Sequence, residues 1–216
     1  MIKKVISFSV WGVNPIYTIG ALKNAQLAKD IYPEWECWFY CGKSIPKEIL
    51  QQLKKYDNCK IIEVNEQGNW EGMFWRFLPA DDSNITMISR DTDSRLNHRE
   101  KRAVDEWLDS DKDFHIMRDH PYHKTEILGG MWGARNGIIK GIKQWMEDYK
   151  KGDFWQVDQN FLKKIIYPKI TNNCCVHDEF FEQRPFPVAR EGKSFIGEAF
   201  NEEDKPLNPE HRDWIA

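Results

Sequence analysis

Apolar and polar positions fall into two rhythms along roughly the first ninety residues. Ile2 to Val10, Trp35 to Tyr40, Lys60 to Val64 and Ile85 to Ser89 are short, mainly apolar runs of strand length. Between them, Tyr17 to Ile31 carries Ile19, Leu22, Ala25, Leu27 and Ile31 at helical spacing until Pro33 stops it. Pro46 to Tyr56 opens behind Ser44 as a cap and sets Ile49, Leu50 and Leu53 on one face, and Trp70 to Leu78 reads as a short aromatic helix. Strands alternating with helices predict an α/β chain with a mainly parallel central sheet flanked by helices. The pattern then loosens: a helix over Asn97 to Leu108, a strand over Phe114 to Met117, a glycine-punctuated segment from Ile127 to Ala134, and helices over Ile138 to Tyr149 and Asp158 to Ile166. The last stretch of about forty residues, with Pro185, Pro187, Pro206 and Pro209, predicts an irregular segment that wraps or covers something. With no repeat and no linker, one compact domain is expected.

Composition narrows the function classes. The 216 residues hold 31 basic and 34 acidic side chains, a formal net charge of −3, so no overall field draws the chain to nucleic acid or an anionic membrane. No stretch approaches the ~20 apolar residues of a membrane span. The start, Met1 to Lys4 before an apolar run, mimics a short signal peptide but lacks a cleavage site, and a buried first strand fits better. Five cysteines match neither a zinc spacing nor a disulfide framework, which predicts reduced thiols in a cytoplasmic protein. Ten tryptophans in so polar a chain call for a reason. Trp35, Trp38, Trp107 and Trp145 fall where core burial suffices, whereas Trp11, Trp70, Trp75, Trp132 and Trp155 lie beside strand ends and loops; Trp214 fits neither group.

The most informative residues follow the strand at Ile85 to Ser89, namely Arg90, Asp91, Thr92, Asp93, Ser94 and Arg95. Extended backbone alternates its side chains, so Asp91 and Asp93 point one way and Thr92 the other. Two carboxylates leaving a strand together make half of an oxygen site for Mg²⁺ or Mn²⁺ with positions open to phosphate oxygens. The plain alternative is a capped turn paired with Arg90 and Arg95. Asp109, Asp111 and Asp113 repeat the spacing, but in a polar loop after a helix. There is no glycine fingerprint of a dinucleotide fold and no P-loop, so phosphates must be held by metal and arginines, which suits nucleoside-diphosphate sugars.

Met73 to Pro79, then a strand, then Asp91-Thr92-Asp93, then a Gly-Gly-Met segment, then Asp158-Gln159, resembles the motif order of GT-A fold glycosyltransferases, a Rossmann-like single-domain fold. The likeness is nearest to the small transferase domains of chlorella viruses and bacterial polysaccharide clusters, and more distant to glycogenin-like enzymes. It is carried most specifically by Arg90 to Leu96, Arg99-Glu100 and Arg118-Asp119-His120-Pro121. The resemblance implies a nucleotide-sugar-binding half, residues 1–96, ending in the Asp triplet, and an acceptor-side half with covering loops, residues 97–216. It implies a metal-dependent transferase that moves a sugar from a nucleotide-sugar donor, UDP-sugar first, to a saccharide or glycan acceptor.

The resemblance also implies roles. Asp91 and Asp93 would hold Mn²⁺ or Mg²⁺, with His177 completing the set unless it is an ordinary packed histidine. Ser9, Val10, Trp11 and Gly12 would hold the nucleoside, and Arg76 would sit near nucleotide or sugar, or else pair with Asp81 or Asp82 on a helix face. Asp158 either caps a helix or stands near the anomeric carbon with Gln159 beside it, and Asp158 or Asp119 would serve as base in an inverting reaction. Arg90, Thr92 and Arg95 complete the donor set, and Arg190 in the covering segment is placed to close on the leaving phosphate. On the acceptor side stand His120 and His123, Gly129 and Gly130 as a close backbone approach or a bulge, and Trp132 as a sugar-stacking ring or a core tryptophan. Two other classes stay open: metal-dependent nucleotidyl or phosphoryl transfer, with Asp119 as a third carboxylate, and a carbohydrate-binding module without catalysis.

Overall fold

The computed structural model describes residues 2–149 and 152–215; Met1, from the signal-like start, lies outside them. Its centre is a seven-stranded sheet: β1 (Lys3–Val10), β2 (Glu36–Cys41), β3 (Cys59–Glu63), β4 (Ile85–Ser89), β5 (Phe114–Arg118), β6 (Trp132–Ala134) and β7 (Cys174–Asp178). The spatial order is β3-β2-β1-β4-β6-β5-β7, and only β6 runs against its neighbours. The expected mainly parallel α/β domain is what forms. The strands reversed or hidden in the sequence are β6, three residues inside the glycine-punctuated segment, and β7, mixed in polarity and at the sheet edge.

Both sheet faces are buried, which is why the strands read as continuous apolar runs rather than alternating ones. Ile6, Phe8, Val10, Cys37 and Phe39 face α1 (Pro15–Ile31), α2 (Lys47–Leu53) and α3 (His98–Asp109). Val5, Trp38, Tyr40, Met87 and Trp132 face an aromatic helix and the helices α4 (Ile142–Asp148) and α5 (Val157–Phe161). Helix α1 begins two residues earlier than expected because Asn14 caps it, accepting from the Ile16 N–H at 3.1 Å, and Pro15 takes the first turn, where its missing N–H is harmless.

The aromatic helix, Trp70–Asp81, is wound as a 3₁₀ helix, a length at which that form is uncommon. Its period of three explains its sequence. Phe74, Phe77 and Ala80 fall on one stripe and are buried in the core, while Met73 and Arg76 fall on another and line a cleft. An α-helical period would mix these stripes.

Trp132, expected as a candidate sugar contact, is fully buried on β6 and packs edge-on against Phe77 at 5.5 Å. It is a core residue, because β6 lies between β4 and β5 with helices above it. Trp132→Ala is therefore expected to lower stability by about 3–5 kcal/mol, the cost of emptying a core aromatic site, as read from chemical denaturation. A loss below ~1 kcal/mol would contradict its place in the core.

Candidate functional site

The chain order turns at β1 and β4: β2 and β3 lie to one side of β1, and β4 to the other. Beyond the carboxyl ends of strands at such a point an open α/β sheet has its natural crevice. A cleft of about 590 Å³ lies here, lined by the end of β1 (Ser9 to Gly12), by Arg76, by Asp91, Thr92 and Asp93 after β4, and by Asp158 and Gln159 of α5. The sequence had pointed to all of these. It had not singled out Asn14, Tyr17, Asp153 or Gln156, which also line the cleft. Gln156 carries a signal only in the backbone, a left-handed φ of 67° in a residue other than glycine.

Arg76 is the centre of the cleft. It is 3% exposed, and its guanidinium pairs with Asp91 on one side and, at 2.8 Å, with Asp158 on the other. Neither Asp81 nor Asp82 pairs with Arg76; Asp81 instead accepts from the Gly141 N–H at 3.0 Å. The Arg76 main-chain N–H donates to the Ser9 hydroxyl at 3.0 Å, which ties the 3₁₀ helix to β1. Arg76 Nε and Asp158 Oδ1 are buried without a partner among the described residues. Native interiors seldom leave such atoms unpaired.

Electrostatics follow from burial. The Asp93 carboxyl is pushed up to about 7, first by burial and then by the charge of Asp91 beside it. Burial also raises Asp158, against the pull of Arg76, and raises the Tyr17 phenol, to which Asp93 and Asp91 add. Asp91, Asp93, Asp153 and Asp158 against Arg76 leave a formal balance of four negative charges to one positive among the lining residues.

Gly129 and Gly130 form the floor rather than an acceptor contact. A Cβ on Gly129 would stand 2.5 Å from Arg76 Nη2 and 2.6 Å from Asp158 Oδ2, and one on Gly130 would overlap the Asp91 carboxylate. The Ser89 hydroxyl fixes this segment by donating to the Gly129 carbonyl at 2.7 Å. Trp11 is seated in a similar way: it meets Trp75 edge-on at 6.0 Å, and a side chain on Gly68 would collide with its ring.

Several expected site residues lie elsewhere. Arg90 points to the opposite sheet face, where it is buried against Glu100 at 3.1 Å, which in turn accepts from Tyr32 at 3.0 Å. Arg95 is a clamp rather than a donor contact, since its Nη1 donates to the carbonyls of Thr92, Asp93 and Ser94 at 3.3, 3.3 and 2.9 Å. Asp119 is fully buried, with its carboxylate held by Arg99, by Arg190 at 2.8 Å and by the Ile196 N–H at 2.8 Å, so it lacks the access a base needs. Arg190 is held by that carboxylate and by Glu179 at 2.9 Å, away from both clefts. His177 sits on β7, three strands and roughly 14 Å from β4, with Nδ1 2.9 Å from His115 and Nε2 3.6 Å from Glu106. It does not join Asp91 and Asp93, and among the described residues no group of three or more His, Cys, Asp or Glu side chains gathers as a metal site.

His120, His123 and Gln159 come together in a second cleft of about 520 Å³, which shares Trp155, Gln156, Gln159, Gly197 and Ala199 with the first. The C-terminal segment packs onto the loop that carries Asp91 and Asp93. Phe200 donates its N–H to the Asp93 carbonyl at 2.8 Å, and Arg95 reaches the Asn201 carbonyl at 2.8 Å.

Solved structures give the class of architecture: the chain has the fold of GT-A type glycosyltransferases. It is similar to a glycosyltransferase involved in the glycosylation of the major capsid of PBCV-1, with TM-score 0.52 and 15% identity over 82% of each chain. It is also similar to TarS of S. aureus, with TM-score 0.51 and 13% identity over 82% of this chain and 58% of that one. A third likeness is to the mannosyltransferase PcManGT from Pyrobaculum calidifontis, solved with GDP-Man and Mn²⁺, with TM-score 0.51 and 13% identity over 84% of this chain and 58% of that one. No family model and no curated protein matches the sequence, so the likeness is one of fold.

Burial pushes the His123 imidazole down to about 3, below the ordinary value of 6.5. Between those values the unfolded chain binds the extra proton, so this histidine withdraws stability as pH falls from 6.5 towards 3. Thermal melts of His123→Gln should show a shallower fall in midpoint between pH 6.5 and 4 than the unsubstituted protein. Parallel curves would contradict the burial of a neutral ring.

Proposed function

We propose that the protein is a glycosyltransferase that moves a sugar from a nucleoside-diphosphate sugar, UDP-sugar in the first instance, to a saccharide acceptor, with a divalent cation in the donor cleft. The observation that carries this reading is the charge of that cleft, four carboxylates against one guanidinium at the strand ends of a glycosyltransferase fold. A diphosphate enters such a field more readily with a cation that offsets the charge.

The residues fit that cation. Asp91 and Asp93 would hold it, since both follow the end of β4 and line the cleft. Mg²⁺ and Mn²⁺ sites of this kind use one or two carboxylates and take the remaining oxygens from water and phosphate, so a third protein ligand is not required. When bound, the cation supplies positive charge to the leaving diphosphate.

The chain's own side chains do the rest. Trp11 offers the base a flat, half-buried surface, and Ser9 to Gly12 shape the nucleoside end. Arg76 lines the cleft, and its charge would add to the stabilisation of the leaving group. Asp158 lines the cleft, paired to Arg76. Released from that pair as the donor is seated, it would bind a hydroxyl of the donor sugar or take the proton of the attacking hydroxyl. The new bond joins the acceptor oxygen to the anomeric carbon as the bond from that carbon to the phosphate oxygen breaks.

Thermal shifts with UDP, GDP, CDP and ADP, each with Mn²⁺, Mg²⁺ or chelator, test the donor class. Saturating UDP with metal is expected to raise the melting temperature by about 5–10 °C, the shift that roughly 100-fold excess over Kd gives a domain of this size. Chelator or Asp91→Asn should remove the shift. Equal shifts with chelator or in the variant, or no shift with any nucleotide, would overturn the reading. Gly130→Ala, whose new methyl displaces the Asp91 carboxylate, should reduce the same shift by more than half. A full shift in that variant would contradict the floor role of Gly130.

A further inference from the structure

The chemistry of the second cleft identifies what it takes. Its volume of about 520 Å³ is that of a pocket for a drug-sized molecule, more than one sugar ring. Two of its three fixed charges are neutralised, since Lys163 pairs with Glu126 at 3.0 Å and Glu198 holds Arg212 through both oxygens at 2.6 and 2.9 Å, which leaves Lys124 as the one unpaired charge among the described lining residues. The side-chain amides of Gln156, Gln159, Asn160 and Asn208 line it and make no hydrogen bond among the described residues. Each amide offers a donor and an acceptor side by side, the pairing that neighbouring ring hydroxyls match.

The tautomers of both imidazoles are fixed, and His123 keeps a donor. His123 Nδ1 accepts from the Asp119 N–H at 3.0 Å, so in the neutral ring Nε2 carries the hydrogen. His120 Nδ1 accepts from the Tyr122 N–H at 3.0 Å, and its Nε2 donates to the His211 carbonyl at 2.9 Å.

Flat apolar surface stands at both ends. Trp155, on the rim shared with the donor cleft, is 64% exposed. At the outer end Tyr122 and Trp214 are 48% and 60% exposed, with ring centroids 5.7 Å apart. Tyr122 lines the cleft and is held edge-on by His211 at 5.0 Å. Tyr122 and Trp214 together make a contiguous aromatic patch at the cleft, the kind that marks a binding surface, and the free amides of the lining suit a ligand with alternating C–H faces and hydroxyl edges.

We propose that this cleft binds a neutral oligosaccharide of three or more rings, running from Trp155 beside the donor site out to a platform made by Tyr122 and Trp214. The proposal deepens the transferase reading by naming the acceptor class, and only its reacting end, at Trp155, rests on that reading. The stacking platform stands on its own geometry.

A high-density array of neutral glycans of one to six rings, with monosaccharides and peptides as further arms, tests it. The protein should retain glycans of three or more rings and bind monosaccharides at least tenfold more weakly. Tyr122→Ala and Trp214→Ala, both at exposed positions, should each reduce retention at least tenfold. Phe181→Ala, an exposed aromatic outside both clefts, should leave retention unchanged. Retention of no neutral glycan, a preference for peptides or single sugars, or binding that survives both platform substitutions would overturn the proposal. UDP binding with Mn²⁺, measured on the same preparation, separates the two readings: glycan binding without UDP binding sinks the donor assignment alone, and UDP binding without glycan binding sinks the platform alone.

Discussion

A single buried guanidinium, that of Arg76, lies between the carboxylates of Asp91 and Asp158 and joins three distant pieces of chain. The 3₁₀ helix brings the cation, the end of β4 one anion and α5 the other. Deleting either member of the buried Arg76–Asp158 pair leaves an uncompensated charge and costs about 3–5 kcal/mol. The surrounding sequence is shaped to admit it. Gly129 and Gly130 lie where any side chain would strike the cluster, and the 3₁₀ winding puts Arg76 on the cleft stripe while Phe74 and Phe77 remain in the core.

The loop that carries Asp91 and Asp93 is restrained by groups that bind its main chain rather than its carboxylates. Arg95 gathers its carbonyls, Asn24 Nδ2 donates to the Ser94 carbonyl at 2.9 Å, and Phe200 pins the Asp93 carbonyl from the C-terminal strap. Gly20 lets α1 approach so closely that a Cβ there would overlap the Thr92 carbonyl. A negative site held this rigidly needs little reorganisation to receive a cation and an anionic ligand together.

Much of this was legible in the sequence, for local reasons. β1 to β5 and α1 to α3 follow from period and caps, and Asp91 with Asp93 from strand alternation at an apolar strand end. That same alternation places Arg90, one residue earlier, on the opposite face with Glu100, so its direction was readable too. Strand β6 was hidden because three residues carry no period, and with it the core place of Trp132. Asp119, Arg190 and His177 have the right chemistry for a site, but their partners, Arg99, Glu179 and His115, come from elements remote in sequence. Burial in a tertiary ion-pair network and exposure in a cleft look alike in a one-dimensional string.

The most direct measurement is a calorimetric titration of Mn²⁺ into the protein with and without UDP. Two carboxylates and no third protein ligand form an incomplete cage, so Mn²⁺ alone should bind weakly, and UDP should tighten it at least tenfold, with the same coupling seen in the reverse titration. Mn²⁺ affinity indifferent to UDP, or UDP affinity indifferent to Mn²⁺, would contradict a donor site built on Asp91, Asp93 and Arg76.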